Sequence, residues 1–292
     1  MAKMIHFVDV TPSAPTVTHV IPGGAGVRGV TSLGDDVFVV RHDRSQQVEV
    51  YDDVTFTLQR RLSVPGLGPS YGLAACASNK CLYASDYDND CIHRVKLTGS
   101  KAVMKWSVGQ GPMGLTVNSA KNVVVVIQGE RKLKEFTTHG TLLQTIQLQP
   151  NIEIPIGVAE LTSGKFVISH IGRHHRVCLL DVQGAVVGSY GGAQGSDLTK
   201  MNLPVCLAVD EHGNILVADE NNNRLLVLDR SLTSAHEMSM SVDGGLKGPS
   251  SLWYDKSRGR LYVGEWRGRR RVIIIDHLTD FTASHVSIQL SA

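Results

Sequence analysis

Short apolar runs separated by polar turns follow one another along the whole chain. The clearest runs are Val37–Val40, Leu82–Ser85, Val123–Ile127, Phe166–Ser169, Ile215–Ala218 and Leu261–Gly264. Together they have the length and the content of β-branched residues that are typical of buried strands. No stretch of ten or more residues shows the 3.6-residue period of an amphipathic helix. The pattern therefore predicts an all-β protein.

A longer repeat is superimposed on this alternation. The segments that open each copy, 43 to 49 residues apart, are Pro69-Ser-Tyr-Gly-Leu-Ala, Pro112-Met-Gly-Leu-Thr-Val, Ile154-Pro-Ile-Gly-Val-Ala, Leu203-Pro-Val-Cys-Leu-Ala-Val and Pro249-Ser-Ser-Leu-Trp-Tyr, with a weaker first copy at Gly26-Val-Arg-Gly-Val-Thr-Ser-Leu33. Each opening is followed by one apolar run and then by two more strand-like runs. Six four-stranded antiparallel sheets are therefore predicted, arranged radially as a β-propeller that shields most strand edges.

We expect residues 1–292 to form a single propeller. The approximate blades are 22–64, 65–108, 109–150, 151–198, 199–244 and 245–292. Both Thr16–Ile21 and Ser284–Leu290 have the pattern of an outermost strand, although blade 6 needs only one. We expect the N-terminal strand, near 16–21, to help close the ring.

The best copy of the repeat identifies a family resemblance. The stretch Leu203–Asp229, with Val217-Ala-Asp-Glu-Asn-Asn-Asn-Arg224 at its centre, closely resembles the NHL repeat, and Gly164–Asp181 carries the same signature. NHL propellers similar to this one often form the C-terminal, substrate-recruiting domain of tripartite-motif (TRIM) ubiquitin ligases, where they bind RNA or proteins. The resemblance implies a six-bladed propeller that binds a macromolecule. A RING, B-box and coiled coil are absent from this sequence, so ubiquitin-ligase domains would lie upstream if the chain is a fragment.

Composition and charge exclude little beyond this. The 292 residues are 42% apolar, enough for a sizeable core, and 29 Lys and Arg against 27 Asp and Glu give a net charge of only +2. No run approaches the roughly 20 apolar residues that span a bilayer, and the N-terminus lacks an export signal, so we expect a cytoplasmic protein without a membrane partner. The five cysteines lack C-x-x-C spacing and are expected to be reduced; a disulfide between Cys76 and Cys81 is the alternative.

Propeller geometry places two kinds of segment on one face, which we call the top face: the start of each first strand, and the loop between the second and third strands. The first-strand positions are Arg28, Tyr71, Met113, Ile156, Val205 and Ser250. The positions that end the second strands are Arg41, Asp86, Gln128, His170, Asp219 and Glu265. The loops of blades 3 and 4, and of blades 6 and 1, carry net positive charge and are neighbours in the ring.

Arginine and aromatic residues on this face are the candidate partner-binding residues. Guanidinium groups pair with phosphates and carboxylates, and aromatic rings offer stacking surfaces for bases. The predicted set is Arg28, Arg41, Arg44, Tyr71, Tyr87, Arg131, Lys132, His170, Arg173, His174, His175, Trp266, Arg267, Arg269 and Arg270. Arg176, Arg224 and Arg271 occupy an arginine position of the repeat itself, which indicates a structural role. Both an RNA and a protein or peptide remain open as the partner.

Two segments match a cofactor-binding motif, but the secondary structure around them does not fit that function. Gly24–Gly29 and Gly109–Gly114 match G-x-G-x-x-G, but no helix follows either one, so we predict interblade turns and no dinucleotide. His170, His174 and His175 do not provide the convergent set that zinc requires, and we predict no metal or other cofactor.

Catalysis is the less favoured interpretation of the sequence. Propeller hydrolases and lyases related to the family hold calcium or zinc near the axis with acidic groups, and Asp86, Asp219 and Glu265 are of that kind. Arg41 intrudes into the same ring of positions, and no G-x-S-x-G nucleophile elbow is present. We therefore expect a scaffold that is not an enzyme, with a metal-dependent propeller hydrolase or lyase with an axial site as the alternative.

Overall fold

The structure, a computed structural model, describes residues 15–99, 102–162, 164–276 and 278. Its strands form six four-stranded antiparallel sheets, each of which is one blade of a propeller. The all-β, six-bladed fold class is thus confirmed. The sequence-predicted strand at 284–290 lies outside the described residues.

Strands β1–β24 are numbered along the chain. The first strands, which surround the axis, are β2 (Val27–Leu33), β6 (Leu73–Cys76), β10 (Pro112–Val117), β14 (Ile154–Thr162), β18 (Pro204–Val209) and β22 (Pro249–Asp255). The second strands are β3 (Asp36–Arg41), β7 (Cys81–Asp86), β11 (Val123–Ile127), β15 (Lys165–Ile171), β19 (Ile215–Asp219) and β23 (Arg260–Glu265). The third strands are β4 (Gln47–Asp52), β8 (Cys91–Lys96), β12 (Lys132–Phe136), β16 (His175–Leu180), β20 (Arg224–Leu228) and β24 (Val272–Asp276). The outer strands are β5 (Leu58–Ser63), β9 (Val103–Ser107), β13 (Leu142–Gln147), β17 (Val186–Gly192), β21 (Ala235–Glu237) and, from the N-terminus, β1 (Thr16–Ile21).

The ring is closed by strands from the two ends of the described chain. β1 pairs antiparallel with β24, with Ile21 opposite Val272 and Thr16 opposite Asp276. The sixth blade therefore has the order β1-β24-β23-β22. Thr18 adds a side-chain hydrogen bond of 2.9 Å from its Oγ1 to Oδ2 of Asp276.

The hydrophobic core lies between the blades. Each main cluster of buried side chains joins two neighbouring sheets; Val227 of blade 5, for example, packs in one cluster with Val263 and Ile273 of blade 6. Another cluster joins Ile21 and Tyr262 of blade 6 to Val39 of blade 1. Because a blade buries its faces only against its neighbours, stability depends on a closed ring.

The first strands approach one another closely around the axis. A Cβ on Gly114 would lie 2.7 Å from the carbonyl oxygen of Ile156 in the next blade, so only glycine fits without a shift. Blades 5 and 6 have a side chain at the equivalent position, and it binds the next blade: Cys206 Sγ accepts from the Leu252 N–H at 3.2 Å, and Ser251 Oγ accepts from the Val30 N–H at 2.9 Å.

Helix is almost absent from the described residues. The one 3-10 turn, η1 (Glu220–Asn222), lies on the top face of blade 5. Within the described ranges no helix has the length and apolar character needed to cross a membrane. All five cysteines are free thiols, and Cys76 and Cys81 face each other across β6 and β7 without a disulfide.

Candidate functional site

The acidic positions at the ends of the second strands anchor the segments that lead into the first strands. Asp219 accepts from Nε of Arg224 at 2.8 Å and from the backbone N–H of Asn202 at 2.7 Å. Glu265 repeats the arrangement, with Nε of Arg271 at 2.9 Å and the N–H of Lys247 at 3.0 Å. These carboxylates are fully buried and already bonded, so they are part of the framework and not free metal ligands.

Blades 1 and 2 use other residues for the same purpose. Asp86 accepts from the Gly68 N–H at 2.9 Å and lies 2.8 Å from Nε2 of His93. Although burial alone would raise the pKa of Asp86, these hydrogen bonds lower it. In blade 1 the charges are exchanged, since Arg41 is buried and its Nε donates to Glu49 at 2.6 Å. The structure therefore places Arg41 inside the framework.

Two predicted histidines are also buried. His170 is 1% exposed, and burial lowers its pKa to about 4, together with the charges of Arg176 and His174. His175 Nδ1 accepts from the backbone N–H of Leu203 at 3.0 Å. Its pKa is lowered by burial. Both rings support loop structure and present no exposed binding surface.

An aromatic and cationic cluster forms at the top of the axis. The guanidinium carbon of Arg28 lies 3.6 Å from the centre of the Trp266 ring and 4.4 Å from that of Tyr71. The edge of His42 meets the other side of this group, with its ring centre 5.0 Å from that of Trp266. Gly26 makes the contact across the ring closure possible, because a Cβ there would lie 2.3 Å from the indole of Trp266.

Arg28 is the unusual member of this cluster. It is half-buried, it forms no ion pair with any described residue, and its Nε has no hydrogen-bond partner there. Burial lowers the pKa of its guanidinium, although Tyr71 and Glu220 act in the opposite direction. A cation that has lost part of its water without gaining a carboxylate is a natural site for an anionic group.

Glu220 supplies a negative charge close to this cation. It lies in η1 with a side chain only 9% exposed, and its Oε1 is 3.4 Å from the guanidinium of Arg267. Burial raises the pKa of Glu220, while the charges of Arg267 and Arg28 oppose that rise. Arg267 itself is half-exposed and donates to Oδ1 of Asn221 at 2.7 Å.

Tyr87 extends the cluster toward blade 3. Its ring packs edge-on against Tyr71 with centres 5.4 Å apart, and its hydroxyl donates to Oε1 of Gln128 at 3.4 Å. Together these side chains surround the upper end of the axis from five blades. We call this set the mouth cluster: Arg28, His42, Tyr71, Tyr87, Gln128, Glu220, Trp266 and Arg267.

A small cavity lies beside the mouth cluster, between blades 1 and 2. Its volume is about 250 Å³, and its lining includes His42, Arg44, Leu67, Pro69 and Asp88. Arg44 is exposed and, with Arg28, contributes to a lowered pKa for His42, for which burial is the main cause. The cavity thus continues the cluster outward with side chains of both charges.

The remaining predicted cations are spread over the face and do not join the cluster. Lys132 lies 2.9 Å from Glu130, and Arg269 lies 2.6 Å from Asp243. Arg131 and Arg173 are exposed in loops of blades 3 and 4, where His174 is half-buried. Arg270 donates to the carbonyl oxygen of Gly24 at 3.1 Å.

One group of three acidic, thiol and imidazole side chains with the spacing of metal ligands occurs among the described residues. It consists of Asp86, Cys91 and His93 inside blade 2. All three are buried, burial raises the pKa of the Cys91 thiol to about 11, and Nε2 of His93 lies 2.8 Å from Oδ2 of Asp86 and 3.6 Å from Sγ of Cys91. This group is best explained by its hydrogen bonds.

His42, Gln128 and Glu220 are members of the mouth cluster that the sequence-based prediction missed. His42 and Glu220 directly follow Arg41 and Asp219, which end second strands. Gln128 itself occupies the equivalent position in blade 3. That spacing is the signal that could have identified them. The prediction concentrated on positive residues and so overlooked an acid and a neutral amide.

Comparison with known proteins places an NHL repeat at residues 201–228, within blade 5. Comparison with curated protein sequences gives no significant match. Solved propellers are similar in fold at low identity. A streptogramin B lyase structure has a TM-score of 0.61 and 13% identity, covering 88% of this chain and 96% of that one.

Two further structures give similar values. A catalytically inactive virginiamycin B lyase from Staphylococcus aureus with quinupristin has a TM-score of 0.63 and 12% identity, covering 87% of this chain and 81% of that one. Hydrazine synthase from Kuenenia stuttgartiensis has a TM-score of 0.62 and 14% identity, covering 94% and 99%.

These neighbours correct one expectation. The sequence favoured a protein that is not an enzyme, but the solved propellers that it resembles include enzymes. That inference had relied on Arg41 among the acidic ring positions and on the missing nucleophile elbow, and lyases with this architecture show that the architecture does not exclude catalysis. The chain is a six-bladed β-propeller that contains an NHL repeat.

Proposed function

We propose that the chain recognises a protein partner at the mouth cluster, where an acidic group of the partner pairs with Arg28. The observation that carries this proposal is the half-buried guanidinium of Arg28, held between Tyr71 and Trp266 without an ion pair among the described residues. A carboxylate from above would complete its hydrogen bonds in a poorly solvated place.

The surroundings of Arg28 favour a peptide over RNA. Glu220 and Asp88 bring negative charge to the mouth and to the adjoining cavity, which would repel successive phosphates. Arg41, which a phosphate track would need, is buried and already paired with Glu49. Half-buried tyrosine and tryptophan rings around an arginine are typical of the centre of a protein interface.

A selection experiment tests this proposal. A display library of random peptides is selected against the wild-type protein, and the enriched peptides are measured against Arg28→Met. Acidic peptides are expected, with affinity at least about thirtyfold weaker for the variant, since loss of one partner of a buried charge pair costs about 2 kcal/mol or more. Arg173→Met, an exposed arginine on blade 4, is the matched control and should bind normally.

The same preparation is exposed to a random RNA pool at low and near-physiological salt. Selective RNA binding that survives the higher salt and needs Arg28 would overturn the protein proposal in favour of RNA. Enriched peptides that bind Arg28→Met as well as the wild type would show that the mouth cluster is not the recognition site. Circular dichroism and urea unfolding establish that the variants are folded.

An acid–base reaction at the same mouth is the second candidate. Glu220 is buried beside the mouth and burial raises its pKa, which is the direction that favours a carboxyl group acting as a general acid or base. Quinupristin, the ligand in the similar virginiamycin B lyase structure, is the first probe. Its conversion is followed by liquid chromatography and fragmentation mass spectrometry, which also detect a product of unchanged mass, with wild type and Glu220→Gln and with divalent cations or a chelator. Conversion that requires Glu220 would support catalysis, and recovery of quinupristin alone would argue against this substrate.

A further inference from the structure

A second site is present on the axis itself, below the mouth cluster. The six first strands surround a cavity of about 630 Å³, within the range of pockets that bind small molecules. Its upper end is formed by Arg28 and Tyr71. Its lower rim, on the opposite face, includes Lys121, Lys256 and Glu160.

The wall between these ends contains apolar side chains beside polar ones such as Thr116 and Ser251. The residue after the close-contact position in each of five blades lines the cavity: Leu73, Leu115, Val158, Leu207 and Leu252. Each is 5–7% exposed, so it contributes a narrow apolar strip and no charge. Trp253 adds an indole near the lower end and is fixed by a hydrogen bond of 2.9 Å to Ser32 Oγ.

Charge is distributed unevenly along this cavity. Arg28 is the charged side chain at the upper end, and it has no carboxylate partner in the described chain. At the rim, Lys121 and Lys256 are exposed. Oε2 of Glu160 accepts from the Ser119 N–H at 2.6 Å, and Oε1 accepts from Oγ of Ser119 at 3.0 Å. Glu160 and Asp255 offset Lys121 and Lys256 at the lower rim, so the uncompensated positive charge is that of Arg28, which favours an anion at the upper end of the cavity.

We propose that the axial cavity binds an elongated organic anion with an apolar body, its carboxylate against Arg28 and its tail toward Trp253. A first strand of six residues, such as β10, is roughly 20 Å long at about 3.3 Å per residue, so a medium-chain carboxylate fits along the axis. The apolar tail contacts the leucine and valine strips, and the carboxylate offsets the incomplete solvation of the guanidinium. The two sites share Arg28, so a bound carboxylate and an acidic peptide should compete for it, whereas the lower part of the cavity belongs to this site alone.

Brominated fatty acids test both the site and the orientation, because bromine quenches an indole that it touches. Dodecanoate carrying bromine at carbon 12 should quench Trp253, and Trp253→Phe should remove that quenching. Calorimetry should give one molecule bound, with dodecanol at least about tenfold weaker than dodecanoate, since a charge-assisted hydrogen bond contributes about 1.5 kcal/mol or more.

Two variants make the test decisive. Ala159→Phe, in the cavity wall, should abolish dodecanoate binding while leaving the top-face partner unaffected, whereas Leu143→Phe on the exposed outer strand of blade 3 should change neither. Arg28→Met should remove the preference for dodecanoate over dodecanol. Equal binding of the alcohol and the acid by the wild type, or unchanged binding in a folded Ala159→Phe protein, would overturn the proposal.

Discussion

The guanidinium carbon of Arg28 lies 3.6 Å from the centre of the Trp266 ring and thereby links the first blade to the sixth above the axis. The two residues are at opposite ends of the described chain, so the contact exists only in the closed ring. It connects the candidate binding surface to the closure of the propeller. Any change that opens the joint between blades 6 and 1 should also disturb recognition at the mouth.

A double-mutant cycle measures this contact directly. The single variants Arg28→Met and Trp266→Leu and the double variant are unfolded in urea, and a coupling free energy of about 1 kcal/mol is expected for a partly desolvated cation–π pair. The pair Arg173→Met and Trp266→Leu is the control, with no contact and an expected coupling near zero. A coupling for Arg28 and Trp266 that equals the control value would contradict the stacking.

The buried ion pair of blade 6 should contribute far more to stability than its exposed neighbour. Glu265 and Arg271 have side chains 0% and 4% exposed, whereas Arg269 and its partner Asp243 are 59% and 80% exposed. Arg271→Met leaves a buried carboxylate unpaired and should lower the free energy of unfolding by about 3 kcal/mol or more. Arg269→Met should change it by about 1 kcal/mol or less. Similar losses for both variants would show that burial does not decide their roles.

The close approach of the first strands of blades 3 and 4 predicts a requirement for glycine at position 114. In Gly114→Ala the new Cβ would meet the carbonyl oxygen of Ile156 at 2.7 Å, and the backbone must shift, at a cost of about 1–3 kcal/mol. Gly192→Ala, on the outer strand of blade 4, meets nothing within 4 Å and should be neutral or slightly stabilising. Urea unfolding compares the two, and a neutral Gly114→Ala would contradict the packing.

The repeat made the fold predictable. Openings such as Pro112-Met-Gly and runs such as Val123–Ile127 recur with one period, and the observed second strands extend the predicted runs by a residue or two or coincide with them. Position within the repeat also indicated that Arg224 and Arg271 are structural, which their buried ion pairs confirm.

The candidate site was less predictable because it depends on contacts between distant copies of the repeat. The sequence indicates that Arg28 and Trp266 share a face, but not that one stacks on the other through the space left by Gly26. The sequence-based prediction also gave Arg41 and His175 as surface residues. In the structure Arg41 donates to Glu49, and the His175 ring accepts from the Leu203 N–H; neither contact leaves a local pattern in the sequence. Partners of a buried side chain are set by packing, which a linear motif does not record.

Burial of His170 predicts a loss of stability in mild acid. Its folded-state pKa is about 4 against an ordinary value of 6.5, so as the pH falls below 6.5 the unfolded chain takes up a proton that the native protein does not. Stability is therefore full above pH 6.5, falls until about pH 4, and the total loss from this residue is roughly 3 kcal/mol. His175, with a pKa also lowered by burial, contributes in the same direction.

Urea unfolding between pH 7.5 and 4.5 checks this sign and assigns it. His170→Gln should lose stability less steeply with falling pH than the wild type, even if it is less stable at pH 7.5. His139→Gln, at an exposed turn position between the third and outer strands of blade 3, is the matched control and should keep the wild-type slope. A wild-type slope in His170→Gln would show that His170 is not responsible.

Closure of the ring by the N-terminal strand gives the last prediction. Ile21 is 0% exposed and packs in the cluster that joins blades 6 and 1, whereas the adjacent Val20 points outward and is 40% exposed. Ile21→Ala should therefore lower the free energy of unfolding by about 3 kcal/mol, the usual cost of a cavity in a well-packed core, and Val20→Ala by about 0.5 kcal/mol or less. Because Arg28 and Trp266 face each other across the same joint, Ile21→Ala should also shift the emission of Trp266 before global unfolding, a change to be followed in a Trp106→Phe/Trp253→Phe background. Equal losses in Ile21→Ala and Val20→Ala would indicate that β1 is attached loosely and that the ring closes by another contact.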